Sequence, residues 1–324
     1  MYFDSPQEIQ SRMNLHGKEG KPFFFALNFE MTEGIFIEDP LNQSDILFQF
    51  GNKSNSKISV RNLESINFSY TPLSLSEYKE KFDIVHDGLR KGYSYLTNLT
   101  VKTPVYSDIS LEDIFYQSNA SYKILLPQHF VCFSPERFVK ISGKTISTNP
   151  MKGTIDATKP NAEEQILNDF KETAEHNTIV DLLRNDLSII ADSVRVNRFR
   201  YIDRITTNKT DILQISSEIT GTLRNNYQNF GDIIFGMLPA GSVSGAPKCA
   251  TMDIIRQAEN IPRGYYTGVC GYYDGKDLDS AVMIRYIEQE NNQYYFRSGG
   301  GITAYSNCES EYREVLEKIY LPIK

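Results

Sequence analysis

The pattern that most narrows the fold is a run of short apolar segments separated by turns, without regular strand–helix–strand alternation. Near the start, FFFALNFE, GIFIE and ILFQF read as short strands joined by polar turns. Near the end, strands are expected over Thr267–Tyr273, Ala281–Glu288 and Tyr294–Arg297 with only brief connections between them. Parallel neighbours need long crossovers, whereas antiparallel neighbours need only a turn. Further strands are predicted at Tyr93–Val101, in a hairpin-like pair Tyr122–Phe133 and Phe138–Thr148, and at Val194–Phe199 and Ile212–Thr220. Tyr78, Phe82, Val85 and Leu89 recur at helical spacing and predict an amphipathic helix over Ser76–Lys91. Other helices are expected at Leu111–Gln117, over Ala162–Ile190 as one long element, at Phe230–Met237 and at Pro247–Glu259. Together these predict an α+β fold with largely antiparallel sheets.

Composition excludes several function classes. The chain has 324 residues with a net charge of −7 and no basic stripe, which disfavours a nucleic-acid partner. No apolar run is long enough to span a membrane, and MYFDSPQEIQ lacks the apolar centre of a signal peptide. Cys132, Cys249, Cys270 and Cys308 are scattered without metal-ligand spacing, so a reducing cytoplasm is the expected location. One domain over residues 1–324 is expected, since no linker-like tract divides the chain.

Chemistry concentrates in four places. Gly299, Gly300 and Gly301 precede a predicted helix on which Glu311, Glu314 and Lys318 fall at i, i+3 and i+7, hence on one face. A glycine loop with free N–H groups suits an anion, and paired carboxylates suit a hard divalent cation such as Mg2+. Glu172 and Glu175 repeat the carboxylate pairing on the long helix, and two such helices meeting would share one cation; a solvated helix surface is the plainer alternative. Pro239-Ala240-Gly241-Ser242-Val243-Ser244-Gly245-Ala246-Pro247-Lys248 puts small and hydroxyl residues before a helix, as an anion-binding start or merely a capped turn. Glu136, between two strands, and Lys152, in Asn149-Pro150-Met151-Lys152-Gly153-Thr154, are expected at one end of a sheet. They read as a general acid and a nucleophile, or as a surface ion pair worth about 0–1 kcal/mol.

Six motifs in one order, SPERF, NPMKGT, EHNTIVDLLRNDL, PAGSVSGAPK, YYTGVCGYYDG and GGGITAYSNCESEYREV, closely resemble the chorismate-utilising enzymes. That family includes the first components of anthranilate synthase and aminodeoxychorismate synthase, together with isochorismate and salicylate synthases. The resemblance covers residues 76–324 as a catalytic core, leaving 1–75 as a shortened β-rich N-terminal part. It implies antiparallel sheets packed face to face with flanking helices. It also implies Mg2+ held directly by Glu175 and Glu314 and through water by Glu172 and Glu311. Tyr266, Arg285, the N–H groups of Gly299 and Gly301, and Lys318 are similar to the positions that hold substrate carboxylates, and Ser242 to the one that hydrogen-bonds substrate.

Within the family, Lys152 in P-x-K-G-T resembles the aminodeoxychorismate branch, where anthranilate synthases generally have alanine. The implied mechanism has a neutral Lys152, its pKa depressed, attack C2 of chorismate while Glu136 protonates the departing C4 hydroxyl. Ammonia then enters at C4. Leu96 stands where isochorismate and salicylate synthases carry a water-activating lysine, and where aminating enzymes usually carry glutamine. Gln214 stands where many relatives carry a histidine tied to aromatisation. The resemblance further implies ammonia from a separate glutamine amidotransferase subunit, insensitivity to tryptophan, and a second enzyme for release of p-aminobenzoate. Anthranilate synthesis, and then isochorismate or salicylate synthesis, are the alternatives.

Overall fold

The computed structural model describes residues 3–56, 66–205, 211–321 and 323. The chain begins α1 (Pro6–Glu19), β1 (Phe23–Leu27), β2 (Gly34–Glu38), β3 (Leu47–Phe50), β4 (Lys53–Ser54), β5 (Phe68–Tyr70), α2 (Leu75–Arg90), β6 (Leu96–Ser107) and α3 (Leu111–Gln117). It continues β7 (Tyr122–Leu126), β8 (Phe130–Ser134), β9 (Arg137–Ser142), β10 (Thr145–Thr148), β11 (Met151–Asp156), α4 (Ala162–Asn168), α5 (Phe170–Ile190), β12 (Ala191–Ile205) and β13 (Ile212–Leu223). The last third holds α6 (Phe230–Met237), α7 (Gly241–Ser244), β14 (Gly245–Ala246), α8 (Lys248–Glu259), β15 (Val269–Tyr273), β16 (Asp277–Val282), β17 (Tyr286–Glu290), β18 (Gln293–Ile302) and α9 (Cys308–Glu317).

The strands form two antiparallel sheets, which bears out the α+β expectation. One runs β11-β13-β10-β9-β16-β15-β1-β2 with β12 on β13; the other runs β14-β6-β18-β17-β8-β7-β3-β4 with β5 on β6. They pack face to face through Phe24, Phe48, Ile124, Cys270, Tyr272 and Tyr286. Phe23, Phe25 and Leu27 point to the other side of the first sheet, where they meet α1, α5 and α6. With both faces covered, β1 is apolar at every position rather than alternating. The outer face of the second sheet is covered by α3 at one end and by α2, α8 and α9 at the other.

Four expectations are corrected. Helix α1 lies in the stretch read only as strands and turns, although Ser5 and Glu8 make a reciprocal capping box and Ile9 and Met13 are buried. The predicted long helix is two, α4 and α5, because Asp169 breaks the run and its Oδ1 accepts the Glu172 N–H at 2.9 Å. Tyr122–Phe133 and Phe138–Thr148 are not arms of one hairpin. Each is a hairpin of its own, β7–β8 in the second sheet and β9–β10 in the first. Ala281–Glu288 likewise divides into β16 and β17, one in each sheet.

These two divisions have one cause. The chain crosses between sheets at 134–136 and again at 283–285, and the flanking strands pair on both sides, β8 with β17 and β9 with β16. The crossings are stitched by Phe133 N to Arg285 O at 2.9 Å, Ser134 Oγ to Val282 O at 2.7 Å and Val282 N to Glu136 O at 3.2 Å.

Beneath α7, Arg263 is 1% exposed and Glu259 3%. Arg263 Nη2 meets Glu259 Oε1 at 2.6 Å and the Asn98 carbonyl at 2.6 Å, and Nη1 meets the Val243 carbonyl at 2.7 Å. Glu259→Ala leaves a buried guanidinium without its counter-charge and is expected to lower stability by about 3–5 kcal/mol, read by urea unfolding. A loss under about 1 kcal/mol, the level of an exposed ion pair, would show that the pair is solvated.

Candidate active site

The site lies along the seam between the sheets. Lys152 reaches it through a β-bulge. Met151 pairs with Ser216 and Thr154 with Gln214, so β11 has one residue more than β13 over this interval. Gly153 takes φ +82°, a left-handed conformation that suits glycine, and a Cβ there would lie 2.9 Å from Glu172 Oε2. The bulge turns Lys152 toward α5, where its Nζ lies 2.6 Å from Glu175 Oε2 and 4.0 Å from Glu314 Oε1 on α9. The two carboxylate helices do meet, and the cation between them in the structure is this ammonium.

The expected depressed pKa of Lys152 is corrected. Burial pulls it down, but the charges of Glu175 and Glu314, the hydrogen bond to Glu175 and the charge of Glu172 outweigh burial and hold it above the usual lysine range. Of the two lysines at the site, Lys318 is the one whose pKa is lowered, through burial and the nearby Lys152 and Arg285 charges, against the pull of Glu314. Its Nζ donates to Glu314 Oε1 and to the Gly299 carbonyl, each at 2.7 Å.

Glu136 pairs not with Lys152 but with Ser242, whose Oγ donates to Glu136 Oε1 at 2.5 Å. Ser242, expected to bond substrate, directs its hydroxyl to this acid. Burial raises the Glu136 pKa, while the Ser242 hydrogen bond and the Arg285, Lys152 and Lys318 charges oppose the rise.

The three glycines are not a loop. They extend β18, with Gly299 opposite Thr100, Gly300 opposite Leu99 and Gly301 opposite Asn98. Pairing with β17 stops at Arg297, which leaves that edge of β18 open. A strand residue sends its N–H and C=O to the same edge, and the Gly299 carbonyl meets Lys318. Gly299 and Gly301 therefore present their amides to the open edge, as an anion site requires. A Cβ on Gly300 would come within 3.6 Å of Glu314 Oε1 and 3.7 Å of both Glu311 Oε2 and Lys318 Nζ, so Glu311, Glu314 and Lys318 converge over one bare backbone position.

Arg285 sits at the sheet crossing with φ 54° and donates from Nε to the Tyr320 hydroxyl at 3.2 Å. Tyr266 lies in the core between the sheets, its ring 5.9 Å from that of Tyr286. Burial pushes its phenol up to about 12, with Arg263 and Arg285 pulling back. Leu96 starts β6 opposite Ala246, and Gln214 lies opposite Thr154, next to the bulge. Sequence reasoning missed Tyr320 and His176. His176 on α5 is fully buried, its Nε2 2.7 Å from Ser217 Oγ. Its place one residue after a candidate metal-binding glutamate was the available signal.

Whether a divalent cation suits this set is a question of donors. Glu172 Oε2 is buried without a hydrogen-bond partner, and burial and the Glu175, Asp169 and Glu314 charges raise its pKa against the pull of Lys152. An unsatisfied carboxylate oxygen beside carboxylates already holding a cation fits a hard metal ion. Among the described residues no three such groups close around one point as they stand.

Residues 43–324 match the chorismate binding enzyme family, and the chain belongs to it. It is 52% identical to an uncharacterised PabA-like protein of Haemophilus influenzae, over 98% of this chain and 97% of that one. It is 32% identical to aminodeoxychorismate synthase component 1 of Salmonella typhimurium, over 75% of this chain and 56% of that one. The crystal structure of anthranilate synthase component I from Streptococcus pneumoniae superposes with a TM-score of 0.66 at 27% identity, over 78% of this chain and 58% of that one. The family match thus defines an enzyme that acts on chorismate. No described helix is long and apolar enough to cross a membrane.

Ser242→Ala removes the hydrogen bond that favours the Glu136 carboxylate. The Glu136 titration is expected to move to higher pH, followed by difference infrared spectroscopy of its protonated carboxyl band. A midpoint that stays in place or falls would show that Ser242 does not tune this acid.

Proposed function

We propose that the protein aminates chorismate at C4, using ammonia from a separate glutamine amidotransferase subunit, and releases 4-amino-4-deoxychorismate for p-aminobenzoate and folate synthesis. The observation that carries this reading is the bulged Lys152, set between carboxylates of α5 and α9 on the seam that also holds the Glu136–Ser242 pair. Mg2+, held directly by Glu175 and Glu314 and through water by Glu172 and Glu311, would supply the positive charge that neutralises the substrate's ring carboxylate.

The chain's own residues divide the remaining work. Arg285, Lys318, Tyr266 and the open-edge amides of Gly299 and Gly301 hold the substrate's carboxylates. Lys152 Nζ bonds to C2 as the C4 hydroxyl departs as water with a proton from Glu136, whose raised pKa suits an acid. Ammonia then bonds to C4 and expels the lysine from C2. Chorismate and ammonia become aminodeoxychorismate and water. Attack needs a neutral amine, whereas Glu175 and Glu314 hold Lys152 charged, so the covalent route requires those carboxylates to be engaged by another positive charge.

Product analysis with chorismate, ammonia and Mg2+ tests the reading. 4-Amino-4-deoxychorismate is expected; fluorescent anthranilate would refute the choice of C4, and isochorismate or salicylate formed without ammonia would refute amination. Glu136→Gln is expected to cut amination by about 10²–10⁴-fold. Lys152→Ala is expected to reduce it severely, and an unchanged rate would remove Lys152 from the covalent role. Glu175→Gln and Glu314→Gln should each weaken Mg2+ binding in calorimetric titration; undiminished affinity would place the ion elsewhere.

A further inference from the structure

The face of α5 that carries Glu175 continues toward its C-terminus. Leu182 and Asp186 lie seven and eleven residues beyond Glu175, about two and three helical turns, and so share its side. Both press on Gly241, which opens the four-residue helix α7. A Cβ on Gly241 would lie 2.2 Å from Leu182 Cδ2 and 2.5 Å from Asp186 Oδ2, so a side chain there would displace both.

Asp186 makes two contacts across this junction. Its Oδ2 accepts the Gly241 N–H at 3.2 Å, and its Oδ1 pairs with Lys248 Nζ at 2.9 Å. Lys248 Nζ also donates to the Met237 carbonyl at 2.6 Å, which closes the segment from the end of α6 to the start of α8 upon itself. The Asp186 side chain is 9% exposed and that of Lys248 25%. Desolvation offsets much of the attraction in such a pair, so stability alone is a weak reason for it to be there. Its geometric effect is direct: the residue after Gly241 is Ser242, whose one hydroxyl must reach Glu136.

We propose that the Asp186–Lys248 pair is a positioning element, docking the 237–248 segment on α5 so that Ser242 stays in register with Glu136. Neither residue touches the reacting atoms in this scheme. Both act through α7. The kinetic consequence rests on the function proposed above; the structural one does not. A shift of about 1 Å in a catalytic contact is enough to cost on the order of 10²-fold in rate.

Asp186→Asn keeps the side chain's shape and removes its charge. In hydrogen–deuterium exchange by mass spectrometry, the peptide over 238–247 should exchange faster in this variant than in the wild type, with no substrate needed. Unchanged exchange overturns the proposal. With chorismate and ammonia, kcat should fall about tenfold or more while KM changes little, and in a Ser242→Ala background the further loss should be under about twofold. Losses that multiply in the double variant would also overturn it, because a general structural defect acts whether or not Ser242 is present. A wild type that consumes no chorismate would refute the functional reading, while the exchange experiment would still decide whether the pair holds α7.

Discussion

Everything at the site depends on the place where two antiparallel strand pairs bend from one sheet into the other. β8–β17 and β9–β16 form a continuous ribbon broken only at 134–136 and 283–285. A sheet packed on both faces keeps its strands largely apolar, whereas a crossing breaks the strand ladder and admits polar side chains. Glu136 and Arg285 occupy these two breaks. The short helix α7 and the terminal helix α9 then supply Ser242 and the second carboxylate pair.

Charge balance follows from that enclosure. Glu172, Glu175 and Glu314 are half-buried, and burial together with the Glu175 and Glu314 charges raises the Glu172 pKa, while Glu311 and Glu314 converge over Gly300. The structure answers with two ammonium groups, Lys152 shared by Glu175 and Glu314, and Lys318 bonded to Glu314. The two lysines are pushed in opposite directions. Lys152 has more carboxylates about it, Glu175, Glu314 and Glu172, and is held charged, whereas for Lys318 burial and like charge win. Here a lysine occupies the middle of the carboxylate set.

Local sequence determined a good deal. Leu111–Gln117 and Phe230–Met237 form helices at their predicted bounds, because each contains its own amphipathic period and a polar residue at its start. The pairing of Glu172 with Glu175 and of Glu311 with Glu314 on single helix faces follows from spacing alone. Helix α1 and the break at Asp169 are equally local, through a capping box and an N-cap aspartate, but the neighbouring apolar strand-like runs and the continuous polar–apolar period outweigh these signals.

What the chain could not show by itself was which side chain meets which. Glu136 and Lys152 are sixteen positions apart and were expected to pair, yet Glu136 meets Ser242, 106 residues away, and Lys152 meets Glu175. The glycine triplet read as a loop because glycine is rare inside strands; only pairing with β6 and the bulk of α9 above Gly300 explain why a strand needs bare backbone there. The physical reason is range. Helix faces, caps and strand propensity depend on neighbours within a few residues, whereas ion pairing depends on distances that only the packing of two sheets and their helices creates.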